Sequence, residues 1–186
     1  ATTEDSLIQF ADMAMYYQKK QMRSTVGVFS EKMEELYSRE LRLKNELTKA
    51  IEKQQLRLVF QPIIRSSNLR VAAFEALLRW KIDDENIPPE DFICIAEQYG
   101  LIHEIGAWVL KNACAQAAQW NVEQQVAVCV NVSVIQLQDE HFINIVEEAL
   151  SDSALLAELL HIEITESVFA SDIIIISNQI KRLQAL

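Results

Sequence analysis

With 186 residues, half of them apolar and 24% charged, the chain has globular composition and a formal net charge of −10. It holds three glycines, Gly27, Gly100 and Gly106, where a typical ~7% would supply roughly a dozen, which excludes the glycine-rich cradles of dinucleotide and P-loop proteins. The longest aliphatic run, Ile173 to Ile176, is far short of the ~20 residues that span a bilayer, and Ala1-Thr2-Thr3-Glu4-Asp5 does not read as a signal peptide.

In chain order, residues 5–21 predict a helix, because Leu7, Phe10, Ala11, Ala14, Met15 and Tyr17 recur at helical spacing. Thr25 to Phe29 is short and β-rich and predicts a strand. Ser30 is placed to cap a second helix running to about Gln55, with the apolar stripe Leu36, Leu43, Leu47, Ala50 and Ile51. Glu35–Arg39 and Glu40–Lys44 are i,i+4 pairs on its expected wet side. Lacking Gly and Pro, this segment reads as a stiff connector.

From Leu56 four β-like segments follow: Leu58–Gln61, Val71–Leu77, Val126–Val132 and Leu159–Thr165. Helical stretches follow the last three, at Pro89–Tyr99 and Leu101–Trp120, at Ile135–Leu150, and at Ser167–Leu186. Alternation of this kind predicts an α/β architecture with parallel strands. The connection through Ser66-Ser67-Asn68 is too short for a helical crossover, so the first two strands should pair antiparallel. Lys81-Ile82-Asp83-Asp84-Glu85-Asn86 reads as a solvated charged turn.

Cys94, Cys114 and Cys129 are odd in number and widely spaced, which fits buried, reduced thiols in a cytoplasmic setting better than a disulfide frame or a zinc site. His103, His141 and His161 are scattered too. Residues 1–55 carry nine basic and nine acidic side chains, whereas residues 56–186 carry eight basic and eighteen acidic. Such a surface repels a phosphate backbone, so a nucleic-acid polymer is a poor partner, and an anionic ligand on this half needs a bridging cation.

Polar side chains interrupt each apolar strand. Valines fill one face of Val126–Val132 while Ala127, Cys129 and Asn131 fill the other; Glu163 opposes the branched residues of the last strand; Glu75 and Gln61 interrupt the first two. An unpaired carboxylate in an apolar setting costs several kcal/mol, so such a set calls for a partner. Taken singly, Glu75 could pair with Arg79, Asn131 could end a strand and Glu163 could face solvent. Together they are hard oxygen donors gathered at strand C-terminal ends, where α/β barrels keep their sites. All-oxygen ligation favours Mg²⁺, Mn²⁺ or Ca²⁺ over zinc.

Glu75-Ala76-Leu77-Leu78-Arg79-Trp80 resembles the signature of the EAL family of cyclic di-GMP phosphodiesterases. The resemblance runs from about Leu56 to the end, through Phe60-Gln61-Pro62, Pro89-Glu90-Asp91-Phe92-Ile93, Ala96 to Ile102, Asn131-Val132-Ser133 and Glu163-Ile164-Thr165-Glu166-Ser167. Ala73 and Cys94 stand where that family usually has Gly and Pro. Residues 1–32 resemble the last helix and strand of a GGDEF domain, through Ala11-Asp12-Met13-Ala14-Met15-Tyr16 and Lys19-Lys20, without the GGDEF signature itself.

The resemblance implies a (β/α)₈ TIM-like barrel with one antiparallel strand, of which residues 56–186 are the N-terminal part, joined by a linker helix at 33–55 to a GGDEF remnant at 1–32. It implies that Glu75, Asn131 and Glu163 ligate Mg²⁺ or Mn²⁺, that Gln61 and Arg79 hold cyclic di-GMP, and that Glu166 supports the loop after its strand. The implied reaction is metal-dependent hydrolysis of cyclic di-GMP to linear pGpG. The family's remaining ligands are expected beyond Leu186, so these 186 residues alone are expected to be inactive and to associate as a homodimer or element-swapped oligomer. The alternatives are a domain that binds cyclic di-GMP without cutting it and a scaffold whose function is association.

Overall fold

A computed structural model of the chain describes residues 4–20, 27–120, 125–164 and 173–186. The chain divides into two compact units, Ala1–Glu46 and Leu47–Leu186. In the first, α1 (Glu4–Lys20) occupies the predicted helix. Of the strand expected at Thr25–Phe29, residues 25 and 26 lie outside the described residues, and 27–29 form no regular element. Phe29 instead stacks on Phe10 with ring centroids 4.1 Å apart, a local packing contact that needs no ladder.

Helix α2 (Glu31–Leu47) ends earlier than the expected Gln55. Beyond it the chain continues as turns and closes with Gln54 N–H on Ile51 O at 3.0 Å and Gln55 N–H on Ala50 O at 2.9 Å. This crossed pair, with Gln54 at φ 52°, is a Schellman stop built without glycine. Leu43, Leu47 and Ala50 are buried as the stripe requires, while Leu36 is exposed. Glu40 does not face water: it is 8% exposed and accepts the Tyr16 hydroxyl at 2.5 Å, and Tyr16 also packs edge-on against Tyr37. A phenol on the neighbouring helix solvates this carboxylate, which helical spacing alone could not reveal.

The second unit is built on one mixed sheet. Strands β1 (Leu56–Ile64) and β2 (Val71–Ile82) pair antiparallel, as the short connection required. The sequence reading missed β3 (Glu85–Ile87), which folds back onto β2 with Trp80 opposite Ile87. Asp83, at φ 48°, makes the reversal, and Lys81 Nζ meets Asp84 Oδ1 at 3.2 Å across it. Aspartate tolerates the left-handed region, which is how a charged turn also serves as a hairpin. Burial of Ile87 (2% exposed) pins the short strand. Trp80 is buried edge-on to Phe92, with its indole N–H on Gln55 Oε1 at 3.3 Å.

Two crossovers follow. Helices α3 (Pro89–Gln98) and α4 (Ile102–Trp120) lead to β4 (Ala127–Val132), parallel to β2. Pro89 and the acidic Glu90 and Asp91 begin α3 as a helix N-terminus favours. Gly100 at φ +72° turns the chain into α4, a conformation other residues enter only with strain. Ile102, Ile105, Val109, Ala113 and Ala117 give α4 its buried face. Next, α5 (Val134–Leu137) and α6 (Phe142–Ser153) lead to β5 (Leu160–Ile164), parallel to β4. Helix α7 (Ile173–Leu183) follows; Gln179 Nε2 donates to Asp139 O at 2.9 Å, and Asp139 Oδ2 meets His103 Nδ1 at 3.2 Å.

The strand order is β1-β2-β4-β5, with β3 beside β2. Val128, Val130 and Val132 on one face of β4 are at most 1% exposed, each contributing about 1.5–3 kcal/mol on burial. The opposite face is floored by the small side chains Ala73, Ala127 and Cys129. Of the three thiols, Cys114 and Cys129 are buried as expected, but Cys94 on α3 is exposed. Among the described residues β5 is a sheet edge, and Leu160, Ile162 and Ile164 line a 270 Å³ groove with Ile180 and Leu183. No described helix is long and apolar enough to cross a membrane.

Candidate functional site

Sheet register gathers the predicted donors. Gln61 on β1 lies directly opposite Glu75 on β2, Glu75 lies beside Cys129 on β4, and Asn131 lies beside Glu163 on β5. Side chains level with one another in neighbouring strands share a face, so Gln61, Glu75, Asn131 and Glu163 come to one side of the sheet. A hydrogen bond runs from Asn131 Nδ2 to Glu75 Oε1 at 2.7 Å. Beside them on the same face, Cys129 Sγ lies 3.9 Å from His161 Nδ1 on β5. Burial above all, with the negative charges of Glu163 and Glu75, pushes that thiol from 9.0 up to about 11.

This chemistry fits a hard divalent cation. Glu75 and Glu163 offer anionic oxygens and Asn131 a neutral one. The thiol of Cys129 on the same face stays protonated at neutral pH and offers no thiolate that would select a soft metal. Asn131 and Glu163 are exposed and Glu75 half-buried, so the donors are open to a ligand from solvent.

Arg79 shares the face of Glu75 by alternation along β2. The residue directly opposite it is Arg57, a like charge. Its own bond is from Nη1 to the Leu78 carbonyl at 2.9 Å, and among the described residues it forms no ion pair, so the pairing of Glu75 with Arg79 does not form. Arg79 and Asn131 border a cavity of about 190 Å³ between β2 and helices α3, α4 and α5, with Leu77, Ile93, Ile102 and Val109 among its apolar walls. Glu166 lies outside the described residues.

The sequence reading missed the polar support behind Asn131. Ser133 caps α5: its Oγ accepts Ile135 N–H at 3.3 Å, and the Gln136 side chain returns to Ser133 N–H at 3.1 Å. Ser133 Oγ also donates to Glu97 Oε1 on α3 at 2.5 Å. Gln136 is 4% exposed and lies where Gly106 on α4 leaves room; a Cβ there would sit 1.8 Å from Gln136 Nε2. The signal was present as Ser133-x-x-Gln136, a capping-box spacing, but its partners Glu97 and Gly106 are remote in sequence.

Comparison with known proteins accords with this geometry. The EAL domain family profile matches residues 44–186. The chain is 37% identical over 185 residues to an uncharacterized signaling protein of Caulobacter vibrioides, covering 99% of this chain and 23% of that protein. It is 35% identical over 173 residues to the bifunctional diguanylate cyclase/cyclic di-GMP phosphodiesterase MucR of Pseudomonas aeruginosa, covering 91% of this chain and 25% of that one. The chain thus spans about a quarter of the length of these relatives. Among solved structures, the PaMucR phosphodiesterase in its c-di-GMP complex aligns with a TM-score of 0.73 at 33% identity, over 77% of this chain and 60% of that one. On its sequence and on its α/β fold, this chain belongs to the EAL domain family.

Proposed function

We propose that this chain carries metal-binding and substrate-binding residues of a cyclic di-GMP phosphodiesterase that opens the ring to linear pGpG. The observation that carries the reading is the convergence of Glu75, Asn131 and Glu163 on one sheet face, with Gln61 and Arg79 on the same side. In this reading Glu75, Asn131 and Glu163 hold Mg²⁺ or Mn²⁺, Asn131 orienting Glu75 through their hydrogen bond. A cation held there would lower the pKa of a bound water and neutralise charge on the leaving oxygen. Arg79 has no carboxylate partner among the described residues and is suited to a phosphate oxygen, which a guanidinium binds as a fork. The apolar cavity beside it accepts a base of the dinucleotide.

The reading extends to organisation. Residues 1–32 are proposed as the C-terminal part of a GGDEF domain, 33–55 as a connecting segment, and 56–186 as strands and helices of an EAL barrel in a cytoplasmic signalling protein. The motif resemblance supports the first, and the fold likeness to PaMucR the last. Three ligands from one side hold a cation loosely, so the 186 residues alone should bind Mn²⁺ weakly and turn over no substrate. The test uses the natural full-length protein with Mn²⁺ and chromatographic detection of pGpG. Glu75→Gln and Glu163→Gln should each lower the rate at least a hundredfold. Tight nucleotide binding without turnover in the unaltered protein would replace this reading with a binding domain.

A further inference from the structure

Residues 56–186 carry eight basic side chains against eighteen acidic ones, and two of the eight, Arg65 and Arg70, flank the β1–β2 turn. Arg65 N–H donates to Arg70 O at 2.8 Å and closes the turn. Leu69 N–H on Arg65 O at 2.9 Å and Arg70 N–H on Asn68 Oδ1 at 3.1 Å tighten it. The backbone therefore fixes the two arginines across from one another, an arrangement that is destabilising for like charges. Among the described residues neither guanidinium has an ion-pair partner.

Both side chains instead border a cleft of about 650 Å³ with Val71, Ala72, Gln125 and Val126, at the end of the sheet where β2 and β4 begin. Glu75 lies four residues along β2 from Val71, roughly 13 Å at the rise of a strand, so the cleft is distinct from the oxygen-donor face. The turn is also strained and apolar at its tip. Leu69 adopts φ 55° and is 79% exposed, and the neighbouring Ile64 is 47% exposed.

We propose that the Arg65–Arg70 cleft is a second binding site, for a phosphate group carried by a soluble anion or by a lipid headgroup. Two guanidinium forks on a closed turn can present parallel N–H donors to phosphate oxygens, and the bound anion relieves the repulsion between them. Gln125 borders the same cleft and brings a further amide donor. Two positive charges stand together on an acidic half and, among the described residues, face an open cleft rather than carboxylates.

The test is titration calorimetry of the full chain with pyrophosphate, in chelator so that no cation carries phosphate to Glu75 and Glu163. Binding should weaken at least tenfold in Arg65→Gln/Arg70→Gln and stay unchanged in Lys111→Gln/Arg182→Gln, which removes the same charge elsewhere. Co-sedimentation with phosphatidylglycerol–phosphatidylcholine vesicles then separates the sources. Vesicle binding that the first double variant abolishes assigns a lipid headgroup, and pyrophosphate binding without vesicle binding assigns a soluble anion. The four side chains are exposed, and circular dichroism checks that each variant keeps its fold. Failure of both probes to bind, or equal loss in both double variants, overturns the proposal.

Discussion

Asn131 and Glu75 stand 56 positions apart, and the 2.7 Å bond between them exists only because β2 and β4 are neighbours in register. The strand pattern showed that each residue interrupts an apolar run, which is why both were legible as site candidates. Their support was not. Gln136 looks like an ordinary helix residue until Gly106, thirty positions earlier, proves to be the reason it fits. Gly106→Ala is therefore expected to destabilise by about 1–3 kcal/mol through overpacking, although alanine is the better helix former. Urea unfolding measures this, and a neutral or stabilised variant would show that Gln136 moves aside freely. On the proposed metal site, the same substitution should also weaken the Mn²⁺ affinity of the natural full-length protein, because Ser133, which Gln136 holds, follows Asn131 by two residues just past β4.

At the scale of elements, hydrophobic periodicity located α3 and α4, each of which buries one continuous face, and α1, of whose described residues only Ala14 is buried, while the single helix expected over Ile135–Leu150 is two, α5 and α6. It failed where local geometry decides. The α2 helix gives way at Leu47 with no Gly or Pro to mark it, and the stop comes at Gln54 in the left-handed region. A non-glycine residue there is strained by ~1–2 kcal/mol, part of which glycine loses again to the greater freedom of the unfolded chain. Gln54→Gly should thus raise stability by roughly 0.5–1 kcal/mol, read from the urea midpoint. A fall instead would mean that the Gln54 side chain carries contacts worth more than the strain. Strand β3 escaped for a related reason: its three residues are too few to show a period, and pairing with β2 together with the burial of Ile87 fixes them.

Across the whole molecule two collective properties can be measured. Burial pushes the Cys114 thiol from 9.0 to about 11, so the native state keeps a proton that the unfolded chain releases first. Stability from this source is fully present below pH 9 and falls as the pH rises toward 11, by on the order of 2 kcal/mol. Cys129 acts in the same direction. Urea midpoints between about pH 8 and pH 11 should drop less in Cys114→Ala than in the unaltered chain, and equal slopes would show that the buried thiol is not the cause. The β5 edge with its apolar groove gives the second expectation, self-association of the 186-residue chain in light scattering. A monodisperse monomer would mean that the edge is covered within one chain.

The sequence by itself determined the α/β class and the antiparallel first pair, and it marked the polar side chains that interrupt the apolar strands. Period, connection length and a carboxylate placed within an apolar run are each local properties of the chain. Only the tertiary structure decided which donors meet, what holds them and where partners replace water. The Asn131–Glu75 bond, the buried Glu40 with its tyrosine, the Cys129 thiol beside His161 and the gap that Gly106 leaves for Gln136 all depend on residues distant in sequence. Such pairings are set by strand register and helix packing, which no window along the chain contains.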